Sequence, residues 1–162
     1  MNTTAQIAKH FREVYYGGNW TWVNLKETLK DITWEEATTK VNDFNTIAVL
    51  VYHISYYVSV QLKVLKGQPL EGTDKDSFNG PVIQSATDWD ALLDKIWQEA
   101  DEYALLVEQL PESRLGEFFV MEKYGNWLRN LLGLIEHTHY HLGQIVLLKK
   151  ILRQNVNTVL SG

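Results

Sequence analysis

Three of the chain's five histidines lie in one apolar stretch, NLLGLIEHTHYHLGQIVLL, from Asn130 to Leu148. Its apolar residues recur at helical spacing, and in an α-helix residues four apart differ by about 40° around the axis and roughly 6 Å along it. His137 and His141 therefore share a face, with Asn130, Gly133, Leu134, Gln144 and Leu148 near the same line. His139, two residues from each, points to the far side. Two imidazoles at this spacing grip a transition metal without any loop to order. The same spacing also suits two core histidines satisfied by hydrogen bonds, so a third ligand is what separates the readings. His53 is the candidate. It stands in the middle of FNTIAVLVYHISYYVSVQL, a run from Phe44 to Leu62 with no formal charge. An imidazole there must find a partner or carry the cost of unpaired burial.

Three neutral imidazoles around a zinc-like ion leave a fourth position for water or substrate, the open arrangement of a catalytic site. Two further residues are candidates to act beside it. Gln144 projects between the two helix histidines and one turn beyond, where it can orient a ligand, a water or a substrate. Tyr57, one turn after His53, either donates a hydrogen bond into the site or packs in the core. Glu136 is about 100° from His137 around the helix and reads as surface. His139 and His10 read as solvated, and Trp20 as a residue at a pocket mouth.

The elements that must position these groups are helical throughout. Residues 3–16 read as a first helix, with Ile7, Phe11, Val14 and Tyr15 in register and Gly17-Gly18 as a break. Trp22, Leu25, Leu29 and Ile32 make a short amphipathic stripe, and Thr33 with Glu36 signals a capping box before a turn over Trp34 to Thr38. The His53 helix is expected from about Asn45 to Lys66, as the most buried of the set. Residues 67–87 hold three glycines and two prolines, and a connection of that length favours a bundle with a crossover over simple up-and-down wiring. Thr87 is expected to cap the next helix, whose stripe of Trp89, Leu92, Leu93, Ile96, Trp97, Ala100 and Leu106 ends at Pro111. Residues 112–125 read as either a short extended segment or an irregular lid. Asn126 caps a last helix running to about Arg153. These four main helices predict an all-α bundle over a single domain, 1–162.

Composition narrows the chemistry. The 162 residues are 45% hydrophobic and 22% charged, enough for one sizeable core. A net charge of −5 without a basic cluster argues against nucleic acid, which needs phosphate neutralisation. The absence of cysteine excludes disulfides, thiolate ligands and a cysteine nucleophile, so a bound metal must use nitrogen and oxygen donors. No signal-peptide pattern opens the chain, and a cytoplasmic setting is expected. The Phe44 to Leu62 run approaches bilayer-spanning length, but polar residues interrupt it and its tyrosines sit centrally, as suits a bundle helix rather than a membrane span.

HTHYHLGQI fits the HxxYHxGQI signature of DinB-like proteins, the YfiT-type family of metal-dependent enzymes, with His137, Tyr140, His141, Gly143 and Gln144 in the matching places. The resemblance extends to YYGGNW at the first helix break and to the apolar helix bearing His53. It implies a four-helix bundle with a long crossover connection, often a homodimer. It also implies a divalent metal, zinc or nickel, at His53, His137 and His141. Characterised relatives include S-transferases that use bacterial low-molecular-weight thiols and a thiol-dependent maleylpyruvate isomerase. The implied partner is a small molecule, such as a thiol, undergoing transfer or hydrolysis. The alternative is a non-catalytic metal or small-ligand binding module on the same fold.

Overall fold

A computed structural model describes the backbone of residues 2–160 and the side chains of residues 2–154. Six α-helices occur there: α1 (Thr3–Tyr16), α2 (Leu25–Leu29), α3 (Trp34–Thr38), α4 (Ile47–Leu65), α5 (Ala86–Gln109) and α6 (Trp127–Leu160). No β-strand forms among the described residues, and α6 continues past the expected end at Arg153.

The helix starts follow side-chain capping. Asn2, Asn24 and Thr46 accept the backbone N–H of Ala5, Glu27 and Val49. Thr33 and Glu36 form the reciprocal capping box that opens α3. The cap of α5 is Ser85, not Thr87. Ser85 Oγ accepts from the Asp88 N–H at 3.2 Å, and the Asp88 carboxylate accepts in turn from the Gln84 N–H at 3.0 Å. That reciprocal pair satisfies two amide donors that a start at Thr87 would leave open. The stripe expected from Trp22 also shortens. Trp22 takes φ +59° outside any helix and is 86% exposed, because the Asn24 cap sets the start of α2 at Leu25. Leu25, Leu29 and Ile32 remain buried.

Four long helices share one contiguous core. α1 packs on α5 and α6, and α4 packs on the same two from the opposite corner. Their directions follow from paired residues. Arg12 bonds Glu108 and Tyr16 bonds Asp101, so α1 and α5 are antiparallel. His53 meets His137 while Gln61 meets Asn130, so α4 and α6 are antiparallel. Ser59 bonds Glu99 and Gln61 bonds Tyr103, so α4 and α5 run parallel. Two parallel neighbours need a connection that returns the length of the bundle, and the segment between α4 and α5 makes that return along α4. Gly72 lies against Tyr56 and Val60, Phe78 against His53, and Gly80 against Tyr52. At Gly80 a Cβ would come within 2.7 Å of the Tyr52 ring, so only glycine lets the returning strap lie this close.

α4 is long and apolar enough to cross a membrane by length and composition. Here Ile47, Leu50, Val51, Ile54, Val58 and Leu62 are buried against the other helices. The segment at 112–125 is two 3-10 turns, Glu112–Gly116 and Glu122–Tyr124, with one isolated bridge between Phe118 and Asn126. Phe118 and Val120 are exposed, and extended pairing goes no further.

Candidate metal centre

The antiparallel contact of α4 with α6 brings His53 to His137 and His141. One ring nitrogen from each can be chosen so that all three lie within 4.8 Å of one another. His53 is 4% exposed and His141 9%, and His137 is partly buried. Each ring contacts the other two, with centroids 4.5 to 4.8 Å apart. Phe78, from the returning strap, stacks on the His53 ring at 4.1 Å and covers it.

Hydrogen bonds on the outer nitrogens decide what the inner ones carry. His53 Nδ1 lies 2.8 Å from Ser77 Oγ, and that hydroxyl donates its single proton to the Asp74 carbonyl at 2.6 Å. Ser77 must therefore accept from His53 Nδ1–H, which leaves a lone pair on Nε2. His141 Nδ1–H donates to Gln144 Oε1 at 2.7 Å, so its Nε2 is likewise a lone pair. His137 Nε2 faces His53 Nε2 at 3.0 Å, and its Nδ1 is buried without a partner.

No neutral arrangement of protons settles His137. With the proton on Nε2 it bonds His53 and orphans a buried acceptor at Nδ1. With the proton on Nδ1 it orphans a donor and sets two lone pairs face to face. Protonating both nitrogens is also opposed: burial, and then the neighbouring His141 and His53, push His137 down to about 4. Burial, followed by His141, lowers His53 as well. A divalent cation between the inner nitrogens resolves the facing lone pairs. Zinc–nitrogen bonds near 2.0–2.1 Å in tetrahedral geometry imply nitrogens about 3.3 Å apart, close to the gap already present between His53 and His137. The three histidines thus form a group that could hold a divalent metal ion.

The remaining sequence candidates divide. Gln144 is at the site and orients His141. Tyr57 is there too, its ring set edge-on to His53 and His137, but its hydroxyl donates to Asp74 Oδ1 at 2.9 Å rather than into the centre. Glu136 is exposed, as read. His10 is exposed, whereas His139 is half-buried on the other side of α6, its ring 6.2 Å from that of His10. Trp20 is 94% exposed, and the cavity beside His137 is lined by other residues. Sequence reasoning missed Ser77, Phe78 and Asp74. They lie in a connection whose only local signal is Asp, Ser and Phe in a 3-10 turn at Asp76–Phe78, preceding Gly80-Pro81.

A helical bundle with a buried histidine triad between two of its helices defines an all-α protein with a candidate metal centre. The chain belongs to the DinB superfamily, whose family model matches residues 19–145, a span that contains all three histidines and Gln144. No curated protein and no solved structure matches the chain.

Proposed function

We propose that this protein is a metal-dependent enzyme that binds a divalent ion, zinc or nickel, through His53, His137 and His141 and acts on a small molecule. A low-molecular-weight thiol is the favoured substrate. The observation that carries the reading is the division of labour around two of the three rings. The outer nitrogens of His53 and His141 are committed to Ser77 and Gln144, so each ring keeps a lone pair on Nε2, and that of His53 lies 3.0 Å from His137 Nε2. Such outer partners fix the tautomer and raise the basicity of a metal-binding histidine. When bound, the ion supplies Lewis acidity, which favours the ionised form of a thiol or water beside it. The chain's own groups hold that chemistry in place: Ser77 and Gln144 orient two rings, and Phe78 excludes water from His53. With no cysteine in the chain, a thiol nucleophile has to come from outside.

Cobalt substitution tests this. Titration with small thiols should develop a sulfur-to-cobalt charge-transfer band and release a proton. Cobalt protein that shows its ligand-field bands but no such band at millimolar thiol would remove the thiol-transferase reading. Hydrolysis or ligand binding without catalysis would then replace it. We also propose a homodimer, on the strength of Phe44, Tyr140 and Leu147, large and exposed around α6. Light scattering that gives the monomer mass of 18.7 kDa at micromolar concentration would reject it.

A further inference from the structure

Beside His137, a cavity of about 500 Å³ runs between α4 and α6. Tyr57 and Gln61 line it from α4, and Arg129, Gly133, Glu136 and His137 from α6. The α4 wall is fixed. Gln61 accepts from the Tyr103 hydroxyl at 2.9 Å and donates to the Asn130 carbonyl at 3.0 Å, so its amide is committed at both ends.

Two features of the α6 wall shape this cavity. Gly133 sits inside a helix, where glycine is less favourable than alanine, yet a Cβ there would meet no atom within 4 Å. The missing side chain leaves the cavity wider one turn before His137. At the other end Arg129 is exposed but held in place. Its Nη1–H donates to the Tyr124 carbonyl at 2.9 Å. Its stem lies on Gly125, where φ is +76° and a Cβ would come within 2.9 Å of Arg129 Cδ. Among the described residues no carboxylate bonds to the guanidinium, so Nε–H and Nη2 remain available as donors.

We infer that this groove binds an elongated small molecule with a carboxylate at the end remote from the histidines. Arg129 takes the carboxylate through its remaining donors, in the forked geometry a guanidinium offers. The body of the molecule lies over Gly133, and its reacting end reaches His137. Eight residues at 1.5 Å rise separate Arg129 from His137 by about 12 Å along the axis, which sets the length of molecule required. Glu136, adjacent to His137, opposes the reversed orientation by placing a like charge against the carboxylate. The inference rests on the metal reading for the reacting end alone; the carboxylate subsite stands on Arg129, Gly125 and Gly133.

Suberic acid monohydroxamate carries a metal-binding hydroxamate at one end and a carboxylate at the other; octanohydroxamic acid is its counterpart without the carboxylate. Both are titrated by calorimetry into zinc-loaded protein. The wild type should bind the carboxylate compound roughly tenfold more tightly, as one charge-assisted contact provides. Arg129→Gln, an exposed substitution, should bind the two alike, and Gly133→Leu should weaken both. Equal affinities in the wild type, or a preference that survives Arg129→Gln, overturn the inference. A second arm needs no metal. Suberate added to isotope-labelled, metal-free protein should shift the amide resonances of Gly125, Arg129 and Gly133 saturably in the wild type and leave them in place in Arg129→Gln. If hydroxamates fail to bind zinc-loaded protein while suberate still moves these amides, the metal reading falls and the carboxylate subsite stands. Amides that stay silent overturn the subsite whatever the hydroxamates do.

Discussion

Replacing His137 by leucine should make the metal-free protein less sensitive to mildly acidic pH and abolish its stabilisation by metal. In the wild type His137 leaves Nδ1 buried without a partner and sets Nε2 3.0 Å from a nitrogen that carries a lone pair. An unsatisfied buried polar atom costs about 1–3 kcal/mol; leucine removes the one at Nδ1 but also takes away the partner of the buried His53 Nε2, so near neutral pH the two effects oppose each other. A pH-dependent part adds to this. The folded-state pKa of about 4 lies below the ordinary 6.5, so between those values the unfolded chain binds a proton that the folded chain does not. Stability therefore rises with pH across that window and is lost as the pH falls from 6.5 toward 4. A difference of about 2.5, at 1.36 kcal/mol each, gives about 3 kcal/mol. The ring is only partly buried, and solvent screening reduces the figure to on the order of 1–2 kcal/mol. Metal-free His137→Leu should thus lie within about 1 kcal/mol of the wild type at pH 7 and gain about 1 kcal/mol relative to it on going to pH 5. His53, also held below its ordinary value, keeps a residual slope in both. Zinc at a thousand times its dissociation constant should stabilise the wild type by about 4 kcal/mol and the variant not at all. Urea denaturation of chelator-stripped and zinc-loaded protein at both pH values measures all four quantities. A metal-free variant with an unchanged pH slope would refute the account of His137 as an unsatisfied ligand.

Purified protein should carry close to one divalent ion per chain by elemental analysis; His53→Ala and His141→Ala should lose it, and His139→Ala, altered on the opposite side of α6, should keep it. Gln144→Leu frees the outer nitrogen of His141 and should weaken metal binding about 10- to 100-fold in competition with a chelator, without unfolding the bundle. Asp31 bonds Lys149 and Arg153 and so ties α6 to the segment between α2 and α3; the Lys149 bond first, then Arg153, holds its carboxyl at about 2. Its contribution is present above the ordinary carboxylate range and is lost as the pH falls toward 2. Because Asp31 is exposed, Asp31→Asn should cost less than about 1 kcal/mol near neutral pH, and the loss should shrink in 1 M salt.

Helix periodicity was legible wherever one apolar stripe faced one core. The spacing of His137 and His141, the uncharged run around His53 and the Thr33–Glu36 box each carry their consequence in local geometry. So the shared histidine face and the capping box both formed as read. The glycine- and proline-rich length of 67–87 implied a crossover, and the parallel packing of α4 on α5 supplies its reason. Starts set by competition between neighbouring caps were less legible. Ser85 and Thr87 are both good caps, and the reciprocal Asp88 partner decided for Ser85. Trp22 belonged to an apolar pattern yet lies outside a helix, because Asn24 capped first.

By itself the sequence determined that the chain is helical, that His137 and His141 share a face, and that a metal would be held by nitrogen and oxygen donors without thiolates. Only the tertiary structure decided which groups surround that face. Ser77 and Phe78 reach His53 because the strap after α4 runs back along it, a path set by helix direction and by the close approach at Gly80. Tyr57 turns its hydroxyl to Asp74 for the same reason, since the strap offers an acceptor at 2.9 Å. The orphaned nitrogen of His137 and the positioned Arg129 are likewise products of packing between elements far apart in the chain. No periodicity encodes them, because periodicity reports which side of a helix faces inward and not what waits there.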